Sequence, residues 1–248
     1  MREHRLSGGN ATDRVVRVGE TVRKPWTAST PSVTAFIQAV RAAGVDAPEP
    51  LGQDEDGRSV QEFIHGTIAM DRDPLSLDDL RRVGSIVRTI HDASAQFTPP
   101  ENVAWESAIP TPGRDLVCHN DLAPWNLIIG ERWVFIDWDA AAPSTRLWDL
   151  AYAAQAFTLN DPNQSPHPAA QGLAAFVDGY RADEATRTAL PAEMGRRATA
   201  MRTLLESSAS IGLEPWASMH ANGHGAHWAA VSHYVEAHQD IWLNALAD

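Results

Sequence analysis

Short apolar runs separated by polar turns fill the first quarter of the chain, and this pattern predicts strands. β-Branched and apolar residues cluster at 15–18, 21–23 and 59–64, and a glycine turn separates the first two runs, as in a β-hairpin. Apolar residues then recur at helical spacing over 31–43, and the pattern stops at Gly44. The N-terminal region is therefore predicted to be a small antiparallel sheet with one helix.

Helical periodicity dominates from Ser76 onward. A capping-box pattern at Ser76 and Asp79 begins a helix that runs to about Ala95. Short strands are expected next, at 115–118, 126–129 and 133–136. Further helices are expected at 148–159, 169–182, 191–210 and 225–247. These elements predict an α+β protein of two lobes: a small antiparallel-sheet N-lobe at 1–66 and a larger, mostly helical C-lobe at 67–248.

Composition narrows the class of protein. Among 248 residues, 20 are Lys or Arg and 32 are Asp or Glu, which gives a net charge of −12. This acidic balance argues against a nucleic-acid or membrane-surface partner, which would require clustered basic residues. Cys118 is the only cysteine, so an intramolecular disulfide and a cysteine-built metal site are excluded. No signal-peptide pattern or long apolar segment is present, so a cytoplasmic location is expected.

The most informative polar residues follow one predicted strand and end the next hairpin. His119, Asp121 and Asn126 lie on a loop between apolar runs, and Asp137 follows the last strand. Two paired strands would bring Asn126 and Asp137 side by side at one edge, where their oxygens suit Mg²⁺. Asp121 would then be placed to orient a substrate hydroxyl and to accept its proton.

This spacing resembles the catalytic and metal segments of the aminoglycoside phosphotransferase/choline kinase-like family. The matching residues are His119-x-Asp121-x-x-x-x-Asn126 and the later Ile136-Asp137. That family is distantly related to protein kinases, and the resemblance implies a bilobal protein-kinase-like fold. It also implies Mg²⁺, with ATP or GTP as co-substrate, and transfer of a phosphoryl group to a hydroxyl of a small molecule.

The resemblance also suggests roles for individual residues. It implies that Asp121 is the catalytic base, that Asn126 and Asp137 are the metal ligands, and that His119 supports the catalytic loop. Two roles stay open for Asp139: a further carboxylate of the metal site, or a solvated charge at the end of a strand. Asp149 is interpreted as a brace for the catalytic loop or as a helix cap.

The N-lobe supplies candidate nucleotide-binding residues. The candidates are Gly8, Gly9, Asn10, Arg23, Lys24, Phe63 and Ile64. The glycine segment would let backbone amides approach phosphates, and the main chain of the 61–66 linker would bind the nucleobase edge. Strand alternation puts only one of the two neighbouring basic residues in the cleft, and the family's strand pattern favours Arg23 over Lys24.

One feature departs from the family's pattern. The helix at 31–43 contains no Asp or Glu, whereas a glutamate on this helix usually holds the basic residue in kinases. Three explanations stay open: Arg23 needs no partner, another acid such as Glu20 serves, or catalysis has been lost. The third would make the chain a catalytically weak, nucleotide-binding pseudokinase with a regulatory or immunity role.

The C-terminal helices bear on the acceptor. Residues 151–248 carry about twice as many acidic as basic side chains. In the family that the chain resembles, the helical lobe contacts the substrate, so the resemblance implies an aminoglycoside-like or amino-alcohol substrate and a role in antibiotic resistance. Trp125, next to Asn126, is a candidate wall of the site. The sequence leaves open the identity of the acceptor, the choice between ATP and GTP, and the oligomeric state.

Overall fold

The computed structural model describes residues 3–6 and 15–247. Its N-terminal part is a five-stranded antiparallel sheet in the order β1-β2-β3-β5-β4. The strands are β1 (Glu3–Arg5), β2 (Val16–Val18), β3 (Thr21–Lys24), β4 (Pro50–Gln53) and β5 (Ser59–Glu62). Strand β4 was not predicted, because its sequence, PLGQ, has neither β-branched residues nor alternation.

Helix α1 (Thr30–Ala42) is the predicted amphipathic helix. A proline in its first turn suits the helix start, since this position needs no backbone N–H partner. Phe36 is fully buried and contacts Trp138 edge-on, with ring centroids 5.6 Å apart. This contact joins α1 to the residue that follows Asp137, so the N-terminal helix packs directly beside the predicted metal site.

Two small sheets hold the central segment. Strand β6 (Thr67–Ile68) pairs with β8 (Leu127–Ile129), which pairs with β9 (Trp133–Phe135). Strand β7 (Leu116–Cys118) pairs with β10 (Ala142–Ser144). The loop between β7 and β8 is therefore anchored to a different sheet at each end, which fixes its path.

Helix α2 (Leu77–Ser94) begins with the predicted capping box, in which Ser76 and Asp79 exchange hydrogen bonds. It packs very closely on α4 (Pro166–Tyr180). A Cβ at Gly84 would lie 2.0 Å from the Phe176 carbonyl oxygen, and one at Gly179 would lie 1.9 Å from the Arg81 carbonyl oxygen. Glycine at both positions is thus what lets the two backbones meet.

The remaining helices are α3 (Arg146–Thr158), α5 (Glu184–Ile211), α6 (Trp216–Met219), α7 (Gly225–Ala237) and α8 (Gln239–Leu246). Helix α5 begins earlier than the predicted 191–210, because Asp183 caps its first turn and Pro191 is accommodated inside the helix. The single helix predicted at 225–247 is interrupted at His238. In the part of the chain that the structure describes, none of the helices has both the length and the apolar character needed to cross a membrane.

Candidate active site

The β8–β9 hairpin brings the predicted metal-binding residues together. Leu127 pairs with Phe135 in an antiparallel register, so the residues just outside this pair lie at the same end of the hairpin. The Ile136 N–H donates to the Asn126 carbonyl at 2.8 Å and extends the pairing by one step. Asn126 and Asp137 are therefore held at one edge, as the strand pattern predicts.

Asp121 lies beside them and has a partner on each oxygen. Its Oδ2 accepts a hydrogen bond from Asn126 Nδ2 at 2.7 Å, and its Oδ1 accepts one from the Tyr152 hydroxyl at 3.0 Å. Burial, and then the nearby Asp137 carboxylate, raise the pKa of Asp121 to about 6 against the lowering effect of these two hydrogen bonds. Because the amide nitrogen of Asn126 donates to Asp121, the amide oxygen of Asn126 is the atom that could bind a metal ion.

Asp137 has a left-handed backbone conformation, with φ of 60°, which aspartate tolerates better than most residues. Its Oδ1 lies 2.5 Å from Lys24 Nζ, and Asp139 Oδ2 lies 2.7 Å from the same nitrogen. The ammonium of Lys24 holds the pKa of Asp137 below its usual range. Burial alone would lower the pKa of Lys24, but the two carboxylates outweigh it and raise that pKa.

The expectation that Arg23 rather than Lys24 faces the cleft is wrong. Successive side chains of β3 point to opposite faces of the sheet, and Lys24 is the one buried beside Asp137. Arg23 points the other way, where its Nε lies 3.2 Å from Asp54 Oδ2. The suggestion that Glu20 holds the basic side chain of the cleft is also contradicted, because Glu20 pairs with Arg17 and His65.

Buried polar groups hold the backbone of the loop that carries Asp121. His119 Nδ1 accepts from the Asp121 backbone N–H at 3.3 Å, and its Nε2 lies 3.2 Å from the Ile136 carbonyl. Burial lowers the pKa of His119, which keeps the ring neutral and suits this pair of contacts. Asp149, in the first turns of α3, accepts from the Asn120 N–H at 2.9 Å and contacts His91. His119 and Asp149 thus fix the loop's backbone.

The linker residues lie at the end of β5. The Phe63 N–H donates to the Glu20 carbonyl at 3.0 Å, and its ring lies 3.7 Å beneath the Arg17 guanidinium. Ile64 is buried against Ile128 and Val134 of the β8–β9 hairpin. Gly8, Gly9 and Asn10 lie outside the described residues.

Two residues beside Asp121 escaped the sequence reasoning. Tyr152 lies on α3, three residues after Asp149, so helical spacing from that residue could have identified it. Arg197 lies on α5, is 6% exposed, and has its guanidinium carbon 4.1 Å from the centre of the Tyr152 ring. No local pattern marks Arg197, because only tertiary packing brings α5 to the loop.

The donor atoms at this edge fit a hard divalent cation. Asn126 offers an amide oxygen, and Asp137 and Asp139 offer carboxylates, which are ligands that Mg²⁺ prefers when phosphate and water complete its shell. Two acids and one lysine leave this cluster with net negative charge, which a cation would offset.

Comparisons with known proteins show what this chain resembles. A family model described as the phosphotransferase enzyme family matches residues 101–187, a range that includes His119, Asp121, Asn126 and Asp137. The trifolitoxin immunity protein of Rhizobium leguminosarum bv. trifolii is 32% identical over 155 residues, which cover 60% of this chain and 59% of that protein.

Solved kinase structures share the fold. A choline/ethanolamine kinase family protein from Mesorhizobium loti aligns with a TM-score of 0.62 at 18% identity and covers 100% of this chain and 92% of its own. Amicoumacin kinase, in complex with AMP-PNP, Ca²⁺ and Ami, aligns with a TM-score of 0.67 at 10% identity and covers 96% and 88%. The protein therefore has the bilobal, kinase-like fold that its sequence predicted. Its resemblance to the aminoglycoside phosphotransferase/choline kinase-like family is confirmed.

Proposed function

We propose that this protein transfers the γ-phosphoryl group of ATP or GTP to a hydroxyl of a small molecule. The observation that carries this proposal is the convergence of Asp121, Asn126 and Asp137 at one edge of the β8–β9 hairpin, with Lys24 facing them. A phosphoryl-transfer site needs a hydroxyl-orienting acid, oxygen ligands for a metal, and a fixed positive charge.

Each group has a proposed task. Asn126 and Asp137 hold Mg²⁺, which when bound offsets the charge of the phosphate oxygens. Asp121 orients the acceptor hydroxyl and takes its proton as the acceptor oxygen bonds to the γ-phosphorus and the bond to the nucleoside diphosphate breaks. Lys24 contributes positive charge for the phosphates, and Asp139 remains beside it when Asp137 binds metal.

The lobe division belongs to this proposal. Strand β5 ends at Glu62 in the five-stranded sheet, and β6, from Thr67, belongs to the sheet of the catalytic hairpin. A boundary near residue 66 would put the nucleotide between an N-lobe and a C-lobe, with Phe63 and Ile64 at its base. A cytoplasmic location, where ATP and GTP are available, is part of the same proposal.

The proposed acceptor is an amino alcohol or an aminoglycoside-like compound. Two structural neighbours are named as kinases of choline or ethanolamine and of amicoumacin. The acidic excess of residues 151–248 suits a cationic acceptor. A role in resistance to a toxic small molecule would fit the similarity to an immunity protein.

A second candidate is a nucleotide-binding pseudokinase with a regulatory or immunity role. It is favoured by the absence of an acid on α1 and by the similarity to the trifolitoxin immunity protein. It predicts that a nucleotide with Mg²⁺ stabilises the protein against heat, while no acceptor becomes phosphorylated.

The test is incubation with Mg²⁺, ATP or GTP and a panel of aminoglycosides, amino alcohols and sugars, followed by mass spectrometry. The proposal predicts an acceptor whose mass increases by one phosphoryl group. Nucleotide-dependent thermal stabilisation without any phosphorylated product would favour the pseudokinase. The absence of both would contradict nucleotide chemistry altogether.

A further inference from the structure

The Tyr152 ring is fixed by packing from three directions. Tyr152 is buried on α3, and its ring is nearly parallel to that of Trp228 on α7, with centroids 6.2 Å apart. Trp125, in the catalytic loop, meets it edge-on at 6.4 Å. The Arg197 guanidinium lies over the ring at 4.1 Å. A tyrosine held this way has little freedom to move its hydroxyl.

The hydroxyl is directed at one atom. It donates to Asp121 Oδ1 at 3.0 Å, while Asn126 occupies the other carboxylate oxygen. One hydrogen bond on each oxygen fixes the plane of the carboxylate as well as its position. Burial raises the pKa of Tyr152 well above its ordinary value, so the hydroxyl stays a donor.

Arg197 contacts both the Tyr152 ring and the loop that carries Asp121, so it links their positions. Within residues 3–6 and 15–247 it makes no ion pair, and its buried Nη1 has no hydrogen-bond partner. Its Nη2 lies 3.4 Å from the Asn120 carbonyl, one residue before Asp121. Burying a guanidinium without a carboxylate partner costs folding free energy. Here the guanidinium contacts the Tyr152 ring and the loop that carries Asp121 instead.

We propose that Tyr152 is a positioning residue that orients Asp121 toward the acceptor hydroxyl, and that Arg197 holds Tyr152 in place. This inference rests on the proposed phosphotransferase function. In the transfer step the acceptor's proton moves to Asp121, the acceptor oxygen bonds to the γ-phosphorus, and the nucleoside diphosphate leaves. Tyr152 keeps its own proton throughout and acts only through the carboxylate.

The kinetic test is Tyr152→Phe, which removes one hydroxyl and leaves the ring packing in place. Because Asp121 loses the hydrogen bond that orients its Oδ1, kcat is expected to fall about 10- to 100-fold. KM for nucleotide and for acceptor should stay within about twofold, since neither binding surface changes. Tyr234→Phe is the matched control, because Tyr234 is also buried and its hydroxyl has no partner among the described residues. Its kcat should equal that of the wild type.

Arg197→Met gives a second arm, since it removes the charge at nearly constant length. It is expected to lower kcat, and the double variant with Tyr152→Phe should be little slower than the slower single variant, because both act on one carboxylate. Fully multiplicative losses would overturn the assignment of Arg197 to Tyr152.

A crystallographic arm tests the idea without an acceptor. Crystal structures of the wild type and of Tyr152→Phe should differ in the Asp121 side chain, which rotates away or becomes disordered in the variant. An unmoved Asp121, or a Tyr152→Phe enzyme with wild-type kcat, would overturn the positioning role. This comparison is decided whether or not phosphoryl transfer is found, so it separates this inference from the proposed function.

Discussion

Lys24 and Arg23 are neighbours on one short strand, yet their surroundings differ completely. Lys24 is buried between Asp137 and Asp139, and Arg23 pairs with Asp54 on the other face. The sequence predicted that only one of them faces the cleft, but it favoured Arg23, and that choice is wrong. The register of β3 against β5, with Lys24 opposite Ser59, decides it, and neither residue type carries that information.

The two basic residues therefore give a matched pair of variants. Lys24→Met should lower kcat/KM about 10- to 100-fold, because a buried charge facing the phosphates is lost. Arg23→Met removes a charge of the same sign from the outer face and should stay within about threefold of the wild type. Steady-state kinetics with varied nucleotide checks both. Equal losses, or a greater loss for Arg23→Met, would contradict the assignment of Lys24 to the cleft.

The buried thiol of Cys118 should make the folding stability depend on pH. Burial, and then the nearby Asp149 carboxylate, raise the pKa of the thiol well above its ordinary value. In the unfolded chain the thiol ionises near pH 8.5, so above that pH only the unfolded state loses the proton. Folding stability attributable to Cys118 should then fall as pH rises, by about 1.4 kcal/mol per pH unit until the folded-state pKa is reached.

Urea unfolding between pH 7 and pH 10 measures this effect. Cys118→Ala is the control, and its stability should fall less steeply above about pH 8.5 than that of the wild type. Parallel slopes for the two proteins would contradict an ionisable thiol confined to the unfolded state. Iodoacetamide at pH 8 should label Cys118 only after unfolding, since the folded side chain is buried and neutral.

In helices α2 and α4, the sequence pattern predicts which face of the helix is buried but not how closely the two helix backbones approach each other. The helical spacing of apolar residues in α2 identifies its buried face, and that prediction is confirmed. The very close approach of the two backbones depends instead on Gly84 and Gly179, each of which would clash as alanine. A glycine inside a helix is destabilising in isolation, so its value becomes visible only in the packed pair.

Gly84→Ala should lower the free energy of unfolding by about 1–3 kcal/mol, because the helices must separate to admit a methyl group. Gly195→Ala on α5 is the control: the nearest atom to its Cβ is the end of the Gln239 side chain at 3.3 Å, which can move. The control should be neutral or stabilising through helix propensity. Urea titration of both variants measures the difference, and equal effects would contradict the close-packing account.

The C-terminal helices include features that the spacing of apolar residues could not predict. The sequence pattern predicts α5 over 191–210, whereas Asp183 caps the helix eight residues before Pro191. The position of α5 against α3 then brings Arg197 to Tyr152. Contacts between residues so far apart in the chain leave no trace in local spacing, which is why this part of the site was not predicted.

For the whole molecule, the proposed phosphoryl transfer requires that nucleotide and metal bind together. Adding ATP with Mg²⁺ at 100 times its dissociation constant should stabilise the fold by about 2.7 kcal/mol. Asp137→Asn should lose most of this gain, since asparagine keeps the left-handed backbone but not the charge. Thermal shifts with and without EDTA measure it. A variant stabilised as strongly as the wild type would contradict the assignment of Asp137 to the metal.

Phosphorylation rates of Asp121→Ala and Asp73→Ala, measured side by side on one acceptor, decide whether Asp121 acts in phosphoryl transfer. Asp73 is an exposed carboxylate outside the site, so its removal should leave the rate unchanged. Removing Asp121 should slow transfer about 10²- to 10⁴-fold, the contribution of a positioned general base. Wild-type turnover by Asp121→Ala would contradict the role of this carboxylate and the phosphotransferase account built on it.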